Sequence, residues 1–233
     1  MNMSIPTVRV ENASKIYQRD RIPVPALQDV SLEIQAGEFL ALVGPSGSGK
    51  TTLLNLIGGL DTPSSGRLWI GEQEITRLGK ATLAEVRLRK IGFVFQEYNL
   101  IPVLSALENV EYVMLLQGRP PGVRRERAIG LLRELGLEGM EQRRPNELSG
   151  GQQQRVAVAR AIAAEPMIVL LDEPTANLDS KTGATLMDMM LRLNREKGVT
   201  FVFSTHDAMV VERARRVIRL RDGRIEADER RRT

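Results

Sequence analysis

FLALVGPSGSGKT, residues 39–51, is the most informative segment for the fold of this chain. Phe39–Val43 is a continuous apolar run of the kind expected for a strand buried on both faces of a parallel sheet. Gly44–Thr51 fits the pattern G-x-x-x-x-G-K-[ST], and the helical stretch Lys50–Gly58 follows directly. Because the strand and the helix flank the glycines, the pattern favours a phosphate-binding loop over a plain glycine-rich turn.

Each residue type in this loop has a physical reason. Glycines let backbone amides crowd around phosphate oxygens, and the N-terminus of the following helix adds a favourable dipole. Lys50 is expected to reach the β- and γ-phosphates, and the Thr51 hydroxyl to ligate Mg²⁺. The residues predicted to bind the phosphates are Gly44, Pro45, Ser46, Gly47, Ser48, Gly49, Lys50, Thr51 and Thr52.

A second apolar strand, Ile168–Leu171, ends in two carboxylates, Asp172 and Glu173. Asp172 should lie at the carboxyl edge of the sheet, where open α/β folds bind ligands, and could hold Mg²⁺ directly or through water. Glu173 is the candidate general base for an attacking water. Adjacent side chains of a strand point to opposite faces, so this role requires the chain to leave the strand at Glu173, and Pro174 makes that exit plausible.

Leu148–Gln152, with the sequence LSGGQ, opens the predicted helix Gln153–Ala164. Ser149 and Gln152 have the spacing of a capping box, and Gly150 and Gly151 leave the helix end bare. A bare helix N-terminus attracts anions, which matches a nucleotide. Ser149 taken alone favours a simple helix cap.

Three further residues are candidates for the site. His206, the only histidine, follows the apolar strand Thr200–Phe203 and could contact a γ-phosphate or be an incidental surface or core residue. Gln96 lies just past the strand Ile91–Phe95 and could touch Mg²⁺ or water. Tyr17 could stack on a base, although its spacing alone favours ordinary packing.

The rest of the chain predicts alternating strands and helices around a mainly parallel sheet, with an all-helical insertion near 97–160. Ser105 and Glu108 form a capping box at the start of the helical part, and Gly136 closes a helix there. The remaining predicted elements are strands at Thr7–Glu11, Ser31–Ile34, Leu68–Ile70 and Val217–Leu220, helices at Arg124–Leu135 and Thr182–Asn194, and turns at Ala36–Gly37 and Asp222–Gly223.

Composition narrows the class of protein. The 233 residues include 42% hydrophobic and 27% charged residues and no cysteine, so disulfides and thiolate sites are excluded. Met1–Pro6 lacks the pattern of a signal peptide, and the apolar runs are too short for a membrane span, which predicts a soluble chain whose membrane role comes through a partner. The arginines from Arg213 to Arg232 are expected to form a solvated face and a tail, because no aromatic residues interleave with them as in a nucleic-acid surface.

The motifs together resemble the ATP-binding subunit of ABC transporters. They occur in one order along nearly the whole chain: GPSGSGKT, Gln96, LSGGQ, IVLLDEP, Asn177-Leu178-Asp179 and His206. The resemblance implies an α/β P-loop NTPase fold. A RecA-like core with N-terminal antiparallel strands would comprise residues 1–96 and 161–233, and a helical signature subdomain would comprise residues 97–160.

The resemblance also implies a head-to-tail homodimer that holds two ATP molecules with Mg²⁺ between its subunits. The loop of one subunit would face Ser149–Gln152 of the other, and Asp179 would contact the second subunit. Tyr17 would stack on adenine, Glu173 would be the base, and His206 would hold the γ-phosphate and the water. Gln96 would sense nucleotide at the start of a segment, 97–118, that contacts an integral membrane permease on the cytoplasmic face.

Within this family, Gly59–Gly66 and Phe95–Glu111 resemble the LolD, MacB and FtsE branch, which serves lipoprotein release, macrolide or toxin export, and division-site signalling. The ATP-binding subunits of amino-acid importers have similar sequences in much of these segments. Two other classes of protein are alternatives to an ABC transporter subunit. A P-loop kinase would have no use for LSGGQ. An ABC-type ATPase acting on nucleic acid or ribosomes would carry coiled-coil or zinc insertions or two ATPase halves, so no nucleic-acid partner is expected.

Overall fold

The computed structural model describes residues 5–19 and 22–231. The strands are β1 (Val8–Arg19), β2 (Ile22–Ile34), β3 (Phe39–Val43), β4 (Ser65–Ile70), β5 (Gln73–Glu74), β6 (Ile91–Val94), β7 (Ile168–Asp172), β8 (Phe201–Ser204), β9 (Arg216–Arg221) and β10 (Arg224–Arg230). The helices are α1 (Lys50–Ile57), α2 (Lys80–Lys90), α3 (Ala106–Leu116), α4 (Pro121–Glu134), α5 (Gly150–Ala163), α6 (Ser180–Lys197) and α7 (Ala208–Arg213).

The larger sheet has the order β10-β9-β3-β8-β7-β6, in which every neighbouring pair except β10 with β9 is parallel. All five residues of β3 are buried, as the apolar run predicted. Leu40 and Leu42 face α1 and the smaller sheet, while Phe39 packs on Phe201 and Phe203 on the opposite face. The prediction of a mainly parallel α/β core is therefore confirmed.

The smaller sheet is antiparallel, with the order β2-β1-β4-β5. Thr7–Glu11 and Ser31–Ile34 were predicted as short strands, but they belong to strands of 12 and 13 residues. Asn12 and Asp29 adopt positive φ values of 48° and 54° where the register of β1 and β2 shifts. These bulges interrupt the alternation of apolar and polar residues, which is why the sequence pattern stopped early.

The helical stretch contains α3, α4 and α5. The capping box of Ser105 and Glu108 opens α3, as predicted. Helix α4 begins earlier than predicted because Pro121 occupies its first turn, where the missing N–H does no harm. Helix α5 runs across residue 160, and its Ala161 carbonyl packs directly on Gly92 of β6. The limit of the helical part at residue 160 stays a prediction.

Two helices, α2 and α7, were not predicted from the sequence. Helix α2 buries only Leu83 and Val86, so its apolar stripe is too thin to stand out, and α7 has six residues. The turn at Asp222–Gly223 is confirmed. Both residues have positive φ, at 48° and 76°, and they join β9 to β10 as an antiparallel hairpin.

Over residues 5–19 and 22–231, none of the helices is both long enough and apolar enough to span a lipid bilayer. Several of the arginines near the end of the chain form ion pairs with acidic side chains. The pairs are Arg213 with Asp188, Arg216 with Glu38 and Asp228, Arg219 with Glu229, and Arg221 with Glu226.

Candidate nucleotide-binding site

The loop between β3 and α1 depends on glycines with positive φ. Gly44, Gly47 and Gly49 have φ values of 152°, 79° and 102°. A Cβ at Gly44 would overlap the Leu220 carbonyl oxygen, and one at Gly49 would come within 2.6 Å of the Ala26 carbonyl oxygen. Glycine is therefore required at Gly44 and Gly49 for both conformation and space.

The loop supplies a lysine, a serine and backbone amides as candidate donors to a phosphate. Lys50 is 9% exposed, and its ammonium donates to the carbonyl oxygens of Gly44 at 2.8 Å and Pro45 at 3.1 Å. Gly49 precedes α1 without a side-chain cap, so no side chain competes for the first amides of the helix. The buried Ser48 hydroxyl has no hydrogen-bond partner among the described residues. A phosphate group would satisfy these donors, so the residues fit the phosphates of ATP.

Thr51 and Asp172 meet across the sheet edge, although 121 positions separate them in the chain. The Thr51 hydroxyl donates to Asp172 Oδ1 at 3.2 Å. Both groups are hard oxygen donors, which Mg²⁺ prefers. In the described part of the chain, no three His, Asp or Glu side chains cluster as a metal site. This donor set fits Mg²⁺ that also binds nucleotide phosphates, because such sites use only one or two carboxylates.

Glu173 leaves the strand, as its predicted role required. Its φ of 47° lies in the left-handed region, a strained conformation for a residue with a side chain. Its backbone N–H donates to the Ser204 carbonyl at 2.9 Å and holds the turn beside β8. Its carboxylate lies 2.8 Å from Nδ1 of His206 and accepts a 3.1 Å hydrogen bond from the Thr205 hydroxyl.

The geometry excludes only the interpretation of His206 as a core residue. The ring is paired with Glu173, while 76% of the side chain remains exposed at the carboxyl end of β8. His206 is thus a surface histidine, and its contact with a γ-phosphate stays a prediction.

Gln96 is exposed and follows β6 at the same edge of the sheet. Its carbonyl oxygen accepts a 3.0 Å hydrogen bond from the Asn177 side chain, so the backbone at Gln96 is tied to the segment after Glu173. A contact between Gln96 and Mg²⁺ or water stays a prediction.

Tyr17 lies on β1, 39% exposed, and its hydroxyl donates to Asp61 Oδ2 at 2.9 Å. Burial and the Asp61 carboxylate raise the pKa of the Tyr17 phenol, although the Thr52 hydroxyl on α1 acts in the opposite direction. The ring therefore lies beside the helix that begins at the phosphate loop. Sequence spacing favoured ordinary packing here, whereas the structure leaves much of the side chain open.

The signature segment, defined as Leu148–Gln152, opens α5 with the predicted capping box. Ser149 N–H donates to Gln152 Oε1 at 2.9 Å, and Gln152 N–H donates to the Ser149 hydroxyl at 3.4 Å. Gly150 and Gly151 do not leave this helix end open on every side. A Cβ at Gly150 would lie 2.7 Å from the Tyr98 hydroxyl, and one at Gly151 would overlap a methyl group of Thr182.

Asp179 caps the helix α6. It accepts from the backbone N–H of Lys181 and Thr182, and from the Thr182 hydroxyl at 2.6 Å. The Thr182 hydroxyl bond is the main cause that lowers the pKa of Asp179, and the side chain remains exposed. Within the described residues, no hydrogen bond or ion pair joins Asp179 or the signature segment to the phosphate loop.

Two residues of the site were missed by the sequence patterns. Thr205 is fully buried and directs its hydroxyl to Glu173; its place immediately before His206 is the one signal that pointed to it. Asp61 binds the phenol of Tyr17 from a loop 44 positions away, which no local pattern predicts.

Comparison with known proteins agrees with this geometry. Residues 27–176 match the family model described as "ABC transporter". An uncharacterized ABC transporter ATP-binding protein of Thermotoga maritima is 51% identical over 217 residues, which are 93% of this chain and 92% of that protein. A macrolide export ATP-binding/permease protein MacB of Brucella melitensis is 45% identical over 96% of this chain but only 34% of its own length.

A solved structure extends the comparison. It is described as the dimeric, post-hydrolysis state of the ATP-binding cassette MJ0796 bound to ADP and Pi, and MJ0796 is a protein of Methanocaldococcus jannaschii. It matches with a TM-score of 0.89 and 45% identity, over 97% of this chain and 99% of that one. The site geometry and these relatives agree: the chain belongs to the ABC transporter family of ATP-binding proteins.

Proposed function

We propose that this chain is the ATP-binding and ATP-hydrolysing motor subunit of an ABC transporter complex. One observation carries the proposal. At a single edge of the parallel sheet lie a phosphate loop with a buried lysine, a hydroxyl–carboxylate pair and a carboxylate–imidazole pair. These are the groups needed to bind a nucleoside triphosphate, a metal ion and an attacking water, respectively.

The phosphate loop and the Thr51–Asp172 pair divide the binding of Mg-ATP between them. Lys50 and the free amides at the start of α1 would contact the phosphates, and Tyr17 the base. Thr51 and Asp172 would hold Mg²⁺, with Gln96 as a further oxygen ligand. When bound, Mg²⁺ supplies positive charge that neutralises the phosphate oxygens.

Glu173 and His206 would act on the water. The strained turn directs the Glu173 carboxylate away from the strand, where it can accept a proton from water at the γ-phosphate. The imidazole is 2.8 Å from that carboxylate and can hold it in place while its exposed edge contacts the phosphate.

The signature segment and Asp179 would serve a second copy of the chain. Ser149 and Asp179 are exposed, and among the described residues neither forms a hydrogen bond or ion pair with the phosphate loop of its own subunit. The MJ0796 cassette, which has nearly the same length and fold, is described as dimeric. A head-to-tail homodimer would place Ser149–Gln152 of one subunit against the nucleotide of the other, where a helix N-terminus favours the phosphate charge.

The segment 97–118 would dock the motor on an integral membrane permease at the cytoplasmic face of the membrane. It exposes apolar side chains on and before α3: Val103 is 71% exposed, Leu115 50% and Leu116 56%. A groove of about 250 Å³ runs beside them and is lined by Leu104, Tyr112 and Arg124, among others. Exposed apolar clusters of this kind mark partner surfaces.

The MacB relatives are described as ATP-binding/permease proteins, and this chain matches about a third of their length. A separate permease polypeptide would supply the rest. We therefore place the motor in the LolD, MacB and FtsE branch, where its task would be lipoprotein release, export or mechanical signalling.

Calorimetry with Mg-ATP tests the proposal. The wild-type chain should bind Mg-ATP and release phosphate from it. Lys50→Ala should weaken binding by about tenfold or more, because the buried ammonium lies within the phosphate loop. Lys80→Ala, which removes an exposed lysine at the start of α2, should bind normally. Equal affinities for all three proteins would refute the phosphate role of the loop.

A further inference from the structure

Two side chains and one backbone amide donate hydrogen bonds to the carboxylate of Asp61. Asp61 Oδ1 accepts from the Lys15 ammonium at 2.6 Å and from the Thr62 N–H at 2.7 Å, and Oδ2 accepts from the Tyr17 hydroxyl at 2.9 Å. Lys15 also donates to the Thr62 carbonyl oxygen at 2.8 Å. We call Lys15, Tyr17, Asp61 and Thr62 the Asp61 cluster.

The Asp61 cluster holds its charge in a partly buried place. The Lys15 side chain is 12% exposed and that of Asp61 28%. Burial acts to raise the pKa of Asp61, but the hydrogen bonds from Lys15 and Tyr17 outweigh it, so the pKa lies below its usual value. Asp61 is therefore ionised at neutral pH and is a strong acceptor for both neighbours.

The same cluster restrains the ring of Tyr17 from two directions. Lys15 and Tyr17 are two positions apart on β1, so their side chains leave the strand on one face. The ammonium lies 4.9 Å from the centroid of the ring, within the range of a cation–π contact, while Asp61 holds the hydroxyl. An exposed tyrosine without these contacts would lose rotamer freedom on binding a ligand, and this entropy cost would weaken binding.

The backbone of Asp61 is anchored to α1, the helix that starts at the phosphate loop. The N–H groups of Leu60 and Asp61 donate to the Asn55 carbonyl oxygen at 2.9 and 3.3 Å. The cluster thus connects the aromatic ring on β1 to the far end of the helix whose first turn forms the phosphate site.

We propose that Asp61, together with Lys15, is a positioning residue for recognition of the nucleotide base. It sets the ring of Tyr17 in place relative to α1, so that base and phosphates are bound by one rigid unit. This inference rests on the proposed function, in which Tyr17 stacks on the base. It assigns to Asp61 no contact with the nucleotide itself.

The test compares two ligands that share phosphates and differ in the base: Mg-ATP and magnesium tripolyphosphate. By calorimetry, Asp61→Ala should raise the Kd for Mg-ATP by about tenfold and change the Kd for tripolyphosphate less than about twofold. Asp61→Asn, which keeps the shape of the side chain, should show the same selectivity with a smaller loss. Glu11→Ala removes an ion-paired carboxylate earlier on β1 and should leave both values unchanged.

A double-mutant cycle shows whether Asp61 acts through the ring. In a Tyr17→Ala background, adding Asp61→Ala should weaken Mg-ATP binding no further. The inference is overturned if Asp61→Ala weakens both ligands equally, since the residue would then only support the loop, or if its effect persists without Tyr17. Normal Mg-ATP binding by Tyr17→Ala would overturn base stacking and this inference with it, while the Lys50→Ala result would still decide the phosphate role.

Discussion

The molecule contains two glycine-containing helix starts that use glycine for different physical reasons. In the phosphate loop, Gly44 and Gly49 have positive φ, and the start of α1 carries no side-chain cap. In the signature segment, Gly150 and Gly151 are ordinary helical residues that make room for neighbouring side chains, and Ser149 caps α5. The first helix start leaves its amides uncapped, as the proposed phosphate site requires, whereas Ser149 and Gln152 cap the second.

Glycines at a helix start can therefore serve either an open backbone conformation or close packing. The loop concentrates a buried lysine and open amides at the sheet edge beside Asp172. The signature segment is closed by its own capping box and, among the described residues, forms no hydrogen bond with the phosphate loop. The loop should therefore govern binding of nucleotide by one chain, and the signature segment should govern dimerisation and turnover once two chains meet.

Glu173→Gln is expected to give the largest effect, because it removes the proposed general base and leaves the phosphate loop unchanged. Turnover should fall by roughly a hundred-fold or more, while Mg-ATP binding is retained. With ATP the variant should also elute from a sizing column as a dimer. A stable ATP-bound monomer would contradict the proposed role of the signature segment, which would then have no second subunit to contact.

His206→Ala should have the next largest effect. The imidazole is 2.8 Å from Glu173, so its loss should lower turnover by about tenfold or more and change the Kd for Mg-ATP far less. Steady-state kinetics beside calorimetry measures both. Near-normal hydrolysis would make His206 an incidental surface residue.

Ser149→Ala tests the signature segment directly. Loss of the cap should lower the free energy of unfolding by about 1 kcal/mol, and turnover should fall several-fold while one chain still binds Mg-ATP normally. Ser105→Ala is the matched control, because it breaks the capping box of α3 at a similar loss of stability. If both variants lose turnover equally, the cap of α5 has only a structural role.

Asp228→Asn should have the smallest effect, on the hairpin that supports the phosphate loop. Arg216 donates to Asp228 at 2.8 and 2.7 Å, and Gly223 of the same hairpin donates to the Ser48 carbonyl in the loop. At neutral pH the wild type should be more stable than the variant by about 1 kcal/mol, since the pair is partly exposed. Turnover should not change.

The pH dependence of this difference has a definite sign. Hydrogen bonds from Arg216 lower the pKa of Asp228 in the folded chain. The stabilisation is therefore complete above the ordinary pKa of 3.8 and is lost as the pH falls through the lower folded value. Urea unfolding of both proteins from pH 7 to pH 3 should show the two free energies converging. A gap that stayed constant would mean that the Asp228 charge contributes nothing.

Local patterns predicted the elements that are regular over their whole length. The strand Phe39–Val43 and the helix after it have the predicted bounds to within one residue, because burial and turn chemistry coincide there. The same patterns shortened β1 and β2 and missed α2. Bulges interrupt the alternating pattern in β1 and β2, and α2 has only a thin apolar stripe. Packing with the rest of the chain stabilises these elements, and the local sequence pattern does not record it.

The order of residue types along the chain was enough to predict which residues would hold phosphate, metal and water, because residue type and the succession of strand, loop and helix are local properties. Which of these residues meet depends on how the strands pair and the loops pack. The sheet order β3-β8-β7 brings Thr51 to Asp172 and Glu173 to His206, and loop packing brings Asp61 to Tyr17. Such contacts join positions from 33 to 121 residues apart, where strand pairing and not local pattern sets the neighbours.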